Sequence, residues 1–467
     1  MNKNKSYFFC GIGGSGMLPL AMILREGGAA VAGSDRALDQ GRLADKFEYL
    51  KAKGISLHDQ DGSGLVSGDQ ILVASAAIED SVPDIAKAKE LGCKRMTRAE
   101  LLAEIFNAAP RSIAIGGTSG KSTVTGMAGW ILAHAGMDPT IMNGGVMKNF
   151  VSADAPFASA RVGCGEIFVS EVDESDGSIA LYTPEVAVLN NVSLDHKSLD
   201  ELRQLFGDFA RSAKTAIWNA DDVETVALIG TLKLEGAISF GFSDRADIRA
   251  ADVVDLPLGS RFTLQAHGSE LPVTLQVPGR HNISNALAAI AAAIAMGVTA
   301  PQAVAAMERF TGLARRFDIV GIAGGITVID DFGHNPDKTA ATLATLRAFP
   351  GRVIAFFQPH GFGPIRVMGQ ELAQVFARML GRDDILILCD PVYFGGTVDK
   401  SIGSQSITDA VAAAGRHAEH IPSREDCGTR IVELAKPGDR IVIMGARDDT
   451  LSAFAADILG QLVKASV

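Results

Sequence analysis

The sequence predicts an α/β protein of three consecutive domains, and three observations support this prediction. Runs rich in Val and Ile alternate with helical patterns along the chain, which is typical of parallel α/β architecture. Several runs end in acidic, amide or histidine residues, as strands do at the ligand-binding edge of an open sheet. The 467 residues are 47% hydrophobic, which is enough for roughly three domains with their own cores.

Strand and helix patterns alternate in the N-terminal part. A strand is predicted from Tyr7 to Cys10, a helix from about Met17 to Glu26, and a second strand that ends at Asp35. A further strand is expected over residues 71–77, and a helix over about 99–106 leads to the first domain boundary.

The middle part begins with Ser112 to Gly126, SIAIGGTSGKSTVTG, where a helix is expected from about Lys121 to Ala135. Three later runs end in polar residues: EIFVSEVDESDG, EVAVLNNVSLDH and AIWNADD. The stretches RFTLQ and PVTLQV have an antiparallel pattern, and a third set of strands starts near Arg315. The predicted domains cover residues 1–107, 108–314 and 315–467.

The charge and composition of the chain argue against some classes of function. The formal net charge of -11 argues against a nucleic-acid-binding protein, which needs a basic surface. No charged leader or apolar run of membrane-spanning length is visible. We therefore expect a cytoplasmic protein without membrane or nucleic-acid partners. The scattered cysteines, without a C-x-x-C pair, are predicted to be buried reduced thiols: Cys10, Cys93, Cys164, Cys389 and Cys427.

The stretch GIGGSG after the first strand fits G-x-G-x-x-G through Gly11, Gly13 and Gly16, and Asp35 closes the second strand. This spacing is typical of dinucleotide-binding domains, where the acid contacts a ribose. Glycines that only let a strand and a helix pack closely would give the same pattern. The diphosphate of another nucleotide, such as a UDP-sugar, is a third interpretation.

The central glycine loop carries Lys121 and Ser122 at the start of a helix, an arrangement that indicates a bound phosphate. The general P-loop spacing would require a glycine where Ile115 stands. Glu171 and His196 each follow a predicted strand. Alone, either residue has an ordinary structural explanation, but with the loop they form a set suited to metal-assisted phosphoryl transfer.

Seven motifs in order resemble those of the ATP-dependent Mur ligases of peptidoglycan synthesis. They are GIGGSGM, GGTSGKST, SEVDESDGS, NNVSLDH, PGRHNISNALAA, ARRFD and IDDFGHNP. The resemblance runs from about Tyr7 to beyond His334 and weakens toward the end. It also accounts for Ile115, because this family uses a shorter loop, G-T-x-G-K-[ST]-[ST].

The resemblance implies a Rossmann-like N-terminal UDP-binding domain, a central P-loop ATPase-type domain and a Rossmann-like C-terminal domain that binds an amino acid. It implies an ATP- and Mg²⁺-dependent ligase that joins L-alanine to the carboxylate of UDP-N-acetylmuramate through an acyl phosphate. The expected partners are these small molecules, and the expected state is a monomer or homodimer.

The resemblance also implies roles for individual residues. The diphosphate of the UDP-sugar would lie on Gly11, Gly13, Gly14, Ser15 and Gly16, with Asp35 near its uridine end. Catalysis would depend on Lys121, Glu171, His196 and Arg316, and Mg²⁺ on Ser122, Glu171 and His196. ATP would contact Gly117, Thr118, Gly120, Lys121, Ser122, Thr123, Asn282, Asn285, Arg316, Asp331 and His334.

Two positions depart from the family pattern. Phe206 stands near the place where several members carry a carbamylated lysine, and Gly361 replaces an arginine expected after Pro359 and His360, with Arg366 as a nearby substitute. The amine therefore stays open between L-alanine, another amino acid and a recycled peptide. A non-catalytic nucleotide-binding regulator of the same fold is the remaining alternative.

Overall fold

The computed structural model describes residues 5–75, 78–193, 197–392, 401–446 and 448–465. Its contacts group into two compact units. The first unit comprises Met1–Val253, Arg261–Leu275 and Asn282–Thr311, and the second comprises Val254–Ser260, Gln276–His281 and Gly312–Val467. Three sheets organise the described residues.

The N-terminal sheet of the first unit has five parallel strands in the order β3-β2-β1-β4-β5. Its strands are β1 Ser6–Cys10, β2 Ala30–Ser34, β3 Ser56–His58, β4 Gln70–Ala74 and β5 Lys94–Thr97. Its helices are α1 Met17–Glu26, α2 Arg36–Asp39, α3 Ala44–Ala52, α4 Pro83–Leu91 and α5 Arg98–Asn107.

The second sheet has ten strands in the order β15-β14-β13-β12-β11-β10-β6-β9-β7-β8. They are β6 Arg111–Gly116, β7 Thr140–Met142, β8 Ala160–Arg161, β9 Ile167–Glu171, β10 Val186–Leu189, β11 Thr215–Asn219, β12 Ile238–Gly241, β13 Ile248–Leu256, β14 Gly259–Ala266 and β15 Ser269–Leu275. The helices of this part are α6 Lys121–His134, α7 Leu199–Ser212, α8 Val223–Leu232, α9 Arg280–Ala295 and α10 Ala300–Met307.

The third sheet has the order β16-β17-β21-β18-β19-β20, with only β16 antiparallel to its neighbour. Its strands are β16 Asp318–Ala323, β17 Ile326–Asp331, β18 Val353–Gln358, β19 Ile385–Leu388, β20 His417–His420 and β21 Arg440–Gly445. Its helices are α11 Pro336–Arg347, α12 Phe362–Met379, α13 Gln405–Ala413, α14 Arg424–Leu434 and α15 Leu451–Ala465.

Aromatic packing joins the first two sheets into one unit. The ring of Phe106, at the end of α5, lies 5.6 Å from that of Phe168 and 5.2 Å from that of Tyr182. Asn107 donates to the carbonyl of Leu181 at 2.8 Å and accepts from the amide of Thr183 at 3.0 Å. The segment after α5 is therefore held in a packed contact rather than in an open linker.

The sequence predicted most elements to within a few residues. The expected helix from Met17 to Glu26 is α1, and the central helix is α6, which ends at His134. The second strand ends at Ser34, because Asp35 instead caps α2 through a bond from the Ala37 amide. The strand expected over residues 71–77 ends at Ala74, and residues 76 and 77 lie outside the described part.

The antiparallel pattern of RFTLQ and PVTLQV corresponds to β14 and β15, which are neighbours in the sheet. They are joined by His267 and Gly268, both with positive φ. A two-residue connection of this kind makes a β-hairpin, which requires antiparallel strands.

The prediction of buried thiols holds for three of the five cysteines: Cys10, Cys389 and Cys427. It is wrong for Cys164, which is exposed, and Cys93 is only partly buried. Burial raises the pKa of Cys10 to about 12. Within the described residues, no helix is both long enough and apolar enough to cross a membrane.

Candidate active site

The central glycine loop lies where the strand order of the second sheet reverses. β6 pairs with β10 on one side and with β9 on the other. In this register Ile115 is opposite Glu171, and Gly116 is opposite Leu189. The carboxyl ends of the three strands therefore meet at one edge, the place where open α/β sheets bind ligands.

Two glycines are required by the shape of this loop. Gly117 has φ 133° and Gly120 has φ 80°, conformations that other residues rarely adopt. A Cβ at Gly120 would lie 2.4 Å from Asn190 Nδ2 and 2.5 Å from Asn285 Oδ1. Gly120 is the N-cap of α6, and the N-terminus of a helix is suited to an anion.

Two adjacent asparagines after β10 hold the loop, and neither was predicted from the sequence. Asn191 Oδ1 accepts from the Ser119 amide at 2.8 Å and from Thr118 Oγ1 at 2.9 Å. The side chains of Asn190 and Asn191 both donate to the Ser119 carbonyl. Asn190 also donates to Asn285 at 3.1 Å. The only sequence signal was the pair of amides that follows a buried strand.

The Lys121 ammonium is held by acceptors from two segments. Nζ lies 2.8 and 3.1 Å from the two carboxylate oxygens of Glu174 and 2.7 Å from the Gly117 carbonyl. Glu174 lies in the loop after β9, three residues beyond Glu171. Glu171 was predicted from the sequence and Glu174 was not, because the pairing depends on how β9 and α6 pack.

The two acids after Glu171 differ in their electrostatic surroundings. Burial raises the pKa of Glu174, and the charge and hydrogen bond of Lys121 only partly oppose this. Burial also acts to raise the pKa of Asp173, but hydrogen bonds from Ser175, with smaller effects from Lys121 and Arg98, leave that pKa lowered. The edge therefore holds one readily ionised carboxyl beside one whose charge depends on its lysine partner.

Ser122 and Glu171 meet as the sequence predicted. Ser122 Oγ donates to Glu171 Oε2 at 2.7 Å. A Cβ at Gly144 would lie 2.2 Å from Glu171 Oε1, so a glycine there gives this carboxylate its space. A hydroxyl and a carboxylate are oxygen ligands of the kind that Mg²⁺ prefers, so this pair fits the expected ion.

The third predicted metal ligand, His196, lies outside the described residues. Among the residues that are described, no group of three His, Cys, Asp or Glu side chains is placed to hold a metal. Thr123 lies in the first turn of α6, partly exposed. Asn282 and Asn285 lie on α9, both 5% exposed, and Asn285 donates to Asn282 at 3.3 Å.

The N-terminal glycine loop follows β1, which lies between β2 and β4. Asp35 Oδ2 accepts from the Gly13 amide at 2.8 Å, and its Oδ1 accepts from the Ala37 amide at 2.8 Å. Gly14 and Ser15 are exposed. The structure thus brings Asp35 to the predicted loop, where its carboxylate orders the backbone.

Arg98 connects this loop to the central edge and was not predicted from sequence. A Cβ at Gly16 would lie 2.9 Å from Arg98 Cδ, so the arginine side chain lies against the loop. Its charge also contributes to lowering the pKa of Asp173. Gly16 precedes the first turn of α1 as its N-cap.

The predicted residues of the second unit cluster around Phe332. Arg316 lies over the Phe332 ring at 4.5 Å, and His334 Nδ1 is 2.9 Å from the Phe332 carbonyl. Asp331 accepts from the Phe317 amide, the Gly333 amide and Thr342 Oγ1 at 2.7, 2.8 and 2.9 Å. The Asp331 carboxylate is thus used within its own sheet.

The backbone conformation at position 361 explains why a glycine rather than an arginine stands there. It precedes α12 with φ 146° and ψ 166°, a backbone region open essentially to glycine alone. A Cβ would contact only Pro364 Cδ, at 3.5 Å, so conformation rather than space excludes a larger residue. Arg366 is exposed on α12.

Three profiles of one family match the chain in order. The profile described as "Mur ligase family, catalytic domain" matches residues 6–109, "Mur ligase middle domain" matches 115–293, and "Mur ligase, glutamate ligase domain" matches 315–447.

Curated relatives resemble nearly the whole chain. A protein from Streptomyces coelicolor named UDP-N-acetylmuramate–L-alanine ligase is 36% identical over 95% of this chain and 95% of its own length. A protein of the same name from Jannaschia sp. is 34% identical over 98% and 95% of the two chains.

Solved structures share the architecture. A UDP-N-acetylmuramate-alanine ligase from Thermotoga maritima superimposes with a TM-score of 0.80 at 23% identity, covering 99% of this chain and 100% of that one. A murein peptide ligase from Psychrobacter arcticus gives 0.72 at 26% identity, covering 98% and 99%. The three sheets are thus those of the three-domain Mur ligase fold, and the chain belongs to the Mur ligase family.

Proposed function

We propose that this protein is an ATP-dependent ligase that joins L-alanine to the carboxylate of UDP-N-acetylmuramate in peptidoglycan synthesis. One observation carries the proposal: the glycine–lysine loop, the Ser122–Glu171 pair and the Asn190–Asn191 amides converge at one sheet edge. Relatives 34–36% identical over nearly the full chain bear the name of this activity.

In this proposal the central loop holds the triphosphate. The loop from Gly117 to Gly120 lies against the phosphates at the start of α6, and Thr118 and Thr123 flank them. Lys121 supplies the positive charge. Asn282 and Asn285 are assigned to the adenine side, and the bond between Asn190 and Asn285 beside the loop supports this assignment.

The chemistry requires charge placement rather than a covalent enzyme nucleophile. A carboxylate is a poor electrophile, so the γ-phosphoryl group of ATP is first transferred to it, and the incoming amine then displaces phosphate from the acyl phosphate. Lys121 offsets the negative charge that gathers in both steps. Mg²⁺ held by Ser122 and Glu171, with His196 as a further ligand, would neutralise phosphate charge when bound.

The remaining roles belong to the same proposal. Gly11, Gly13, Gly14, Ser15 and Gly16 hold the diphosphate of the UDP-sugar. Asp35 orders this loop near the uridine end through its bond from the Gly13 amide.

Arg316, Asp331 and His334 stay predicted ATP contacts, as the family resemblance implies. Domain bounds of 1–107, 108–314 and 315–467 are supported by the matched ranges 6–109, 115–293 and 315–447. A cytoplasmic location and a monomeric or dimeric state stay predictions.

A second candidate is a ligase that attaches a preformed peptide. Gly361, in a conformation that an arginine cannot adopt without strain, changes a position expected to help define the amine. The murein peptide ligase from Psychrobacter arcticus is 26% identical over 98% of this chain. The chemistry at the central loop is the same for both candidates, so only the amine separates them.

The test is a product analysis. The protein is incubated with ATP, Mg²⁺, UDP-N-acetylmuramate and one amine at a time: L-alanine, glycine, L-serine or the peptide L-alanyl-γ-D-glutamyl-meso-diaminopimelate. ADP release is followed, and the UDP-linked product is identified by mass. We expect ADP release that depends on L-alanine.

The other outcomes separate the alternatives. Ligation of the peptide alone would assign the second candidate. Absence of amine-dependent ADP release with every amine, despite nucleotide binding, would indicate a non-catalytic regulator and would reject the proposed activity.

A further inference from the structure

The Lys121 ammonium has all of its donors engaged within the protein. An ammonium has three N–H donors and no acceptor. Both Glu174 carboxylate oxygens, at 2.8 and 3.1 Å, and the Gly117 carbonyl, at 2.7 Å, take up these donors. A phosphate oxygen that is to bind Lys121 must therefore displace one of them.

Glu174 is the acceptor that an incoming phosphate would displace. The Gly117 carbonyl is a neutral group within the loop that Lys121 itself follows, so it can stay in place. The Glu174 carboxylate is an anion beside the position that a second anion would take, and like charges in a poorly solvated place repel strongly.

The burial of the pair makes this exchange energetically important. The Glu174 side chain is 5% exposed and that of Lys121 is 19% exposed. A buried carboxylate that loses its cation retains its desolvation cost without compensation. The raised pKa of Glu174, caused mainly by burial, agrees with this cost.

We infer that Glu174 is a positioning residue that competes with the terminal phosphates of ATP for Lys121 and thereby sets the affinity of the loop for nucleoside triphosphate. This inference rests on the proposed function, because it takes the central loop to be the ATP site. The contact between Glu174 and Lys121 opposes phosphate binding, but it also keeps the lysine next to the loop.

The test is nucleotide binding to the full-length Glu174→Gln variant, measured by isothermal titration calorimetry with Mg²⁺ and a non-hydrolysable ATP analogue. Glutamine keeps the size of the side chain and removes its charge. We expect binding about tenfold tighter, which corresponds to about 1.4 kcal/mol. AMP affinity should stay unchanged, because a P-loop lysine reaches the β- and γ-phosphates.

Asp176→Asn is the matched control. Asp176 lies on the same loop, is exposed, and accepts from the Ser178 amide at 2.9 Å. Its neutralisation removes one nearby negative charge without touching Lys121, so we expect less than a twofold change in affinity for the ATP analogue.

A second measurement tests whether the gain in affinity depends on the contact between Glu174 and Lys121. In a Lys121→Ala background the Glu174→Gln change should give no gain, because the competing contact is already absent. If Glu174→Gln does not fold, Glu174→Asp replaces it; the shorter side chain should give a smaller gain of about threefold by weakening the ion pair.

Several results would overturn the inference. Weaker or unchanged binding by Glu174→Gln in a folded protein would do so, as would a gain that persists without Lys121. The proposed function is tested separately by ligation: wild-type ligase activity with unchanged Glu174→Gln affinity rejects only the inference. A wild-type chain that binds no nucleotide rejects both.

Discussion

The two glycine loops of the first unit share one backbone design but differ in charge. Each follows a strand at which the sheet order reverses, and each leads into a helix. In the N-terminal loop Asp35 accepts from the Gly13 amide, and the segment 11–16 carries no basic residue. In the central loop neutral Asn191 accepts from Ser119, and Lys121 follows.

The difference shows how residues that follow neighbouring strands set the charge of a glycine loop. A carboxylate that takes up a loop amide reduces the positive character of the N-terminal loop and fixes its shape. Amide side chains fix the central loop without adding negative charge, and the lysine adds a cation. The first arrangement suits a diphosphate that is bound without reacting. The second suits a triphosphate whose charge distribution changes during the reaction.

The largest expected effect comes from removing the positive charge of the central loop. Lys121→Ala should lower kcat for amide formation by about a hundred- to a thousandfold, as loss of a preorganised charge-stabilising group does. The affinity for the UDP-sugar should change little. ADP release at saturating substrates measures the effect, with Lys214→Ala, an exposed lysine, as the control. If Lys121→Ala retained wild-type turnover, the lysine charge would not distinguish the central loop from the N-terminal loop.

Alanine at one positive-φ glycine of each loop should show how far packing distinguishes the two loops. Gly120→Ala meets Asn190 and Asn285 at 2.4 and 2.5 Å, so we expect a loss of about 2–4 kcal/mol in the free energy of unfolding. Gly11→Ala, at φ 84° with nothing within 4 Å, should cost only about 1–2 kcal/mol. Urea unfolding followed by circular dichroism compares them, and equal losses would show that packing does not distinguish the loops.

Substitution of the side chains that hold the two loops should weaken the binding of different substrates. Asn191→Ala removes the acceptor for Ser119 and Thr118, so the Kd for ATP should rise about tenfold. Asp35→Asn leaves one oxygen where two amides donate, so the Kd for UDP-N-acetylmuramate should rise about threefold to tenfold. Calorimetry with each ligand checks both. The account fails if both variants weaken the same ligand.

The last comparison concerns the third sheet, which has an edge without a phosphate loop. Burial, with the positive charge of Lys338, lowers the pKa of His334 to about 3. The unfolded chain binds a proton below about pH 6.5 that the folded chain does not, so stability should fall as pH decreases. Between pH 7.5 and 5.0 the loss should be about 1–2 kcal/mol.

His334→Asn keeps a donor for the Phe332 carbonyl and removes the titration. Urea unfolding at the two pH values should show a smaller pH dependence for this variant than for the wild type. An identical dependence in both proteins would assign it to other groups.

Local patterns in the sequence predicted more of the fold than of the site. Helix α1 and the Ser122–Glu171 pair followed from periodicity and from polar residues after strands. Glu174 and Asn191 were missed because their partners lie 53 and 72 residues away in the chain. Only the packing of three strands decides which of several polar residues reaches the loop.

Acidic residues were harder to interpret than glycines. Asp35 and Asp331 were recognised from their motifs, but a motif does not show whether a carboxylate faces a ligand or the protein backbone. In the structure both accept from backbone amides of their own domain. Their predicted contacts with ligands therefore stay predictions, as does the metal role of His196.

In the proposed reaction, ATP activates the carboxylate of UDP-N-acetylmuramate before the amine attacks. The most direct measurement uses this substrate with both carboxylate oxygens replaced by ¹⁸O, together with ATP, Mg²⁺ and L-alanine. If the carboxylate is activated as an acyl phosphate, the inorganic phosphate carries one ¹⁸O atom and the amide retains the other. Phosphate without the label, formed along with the amide product, would contradict it.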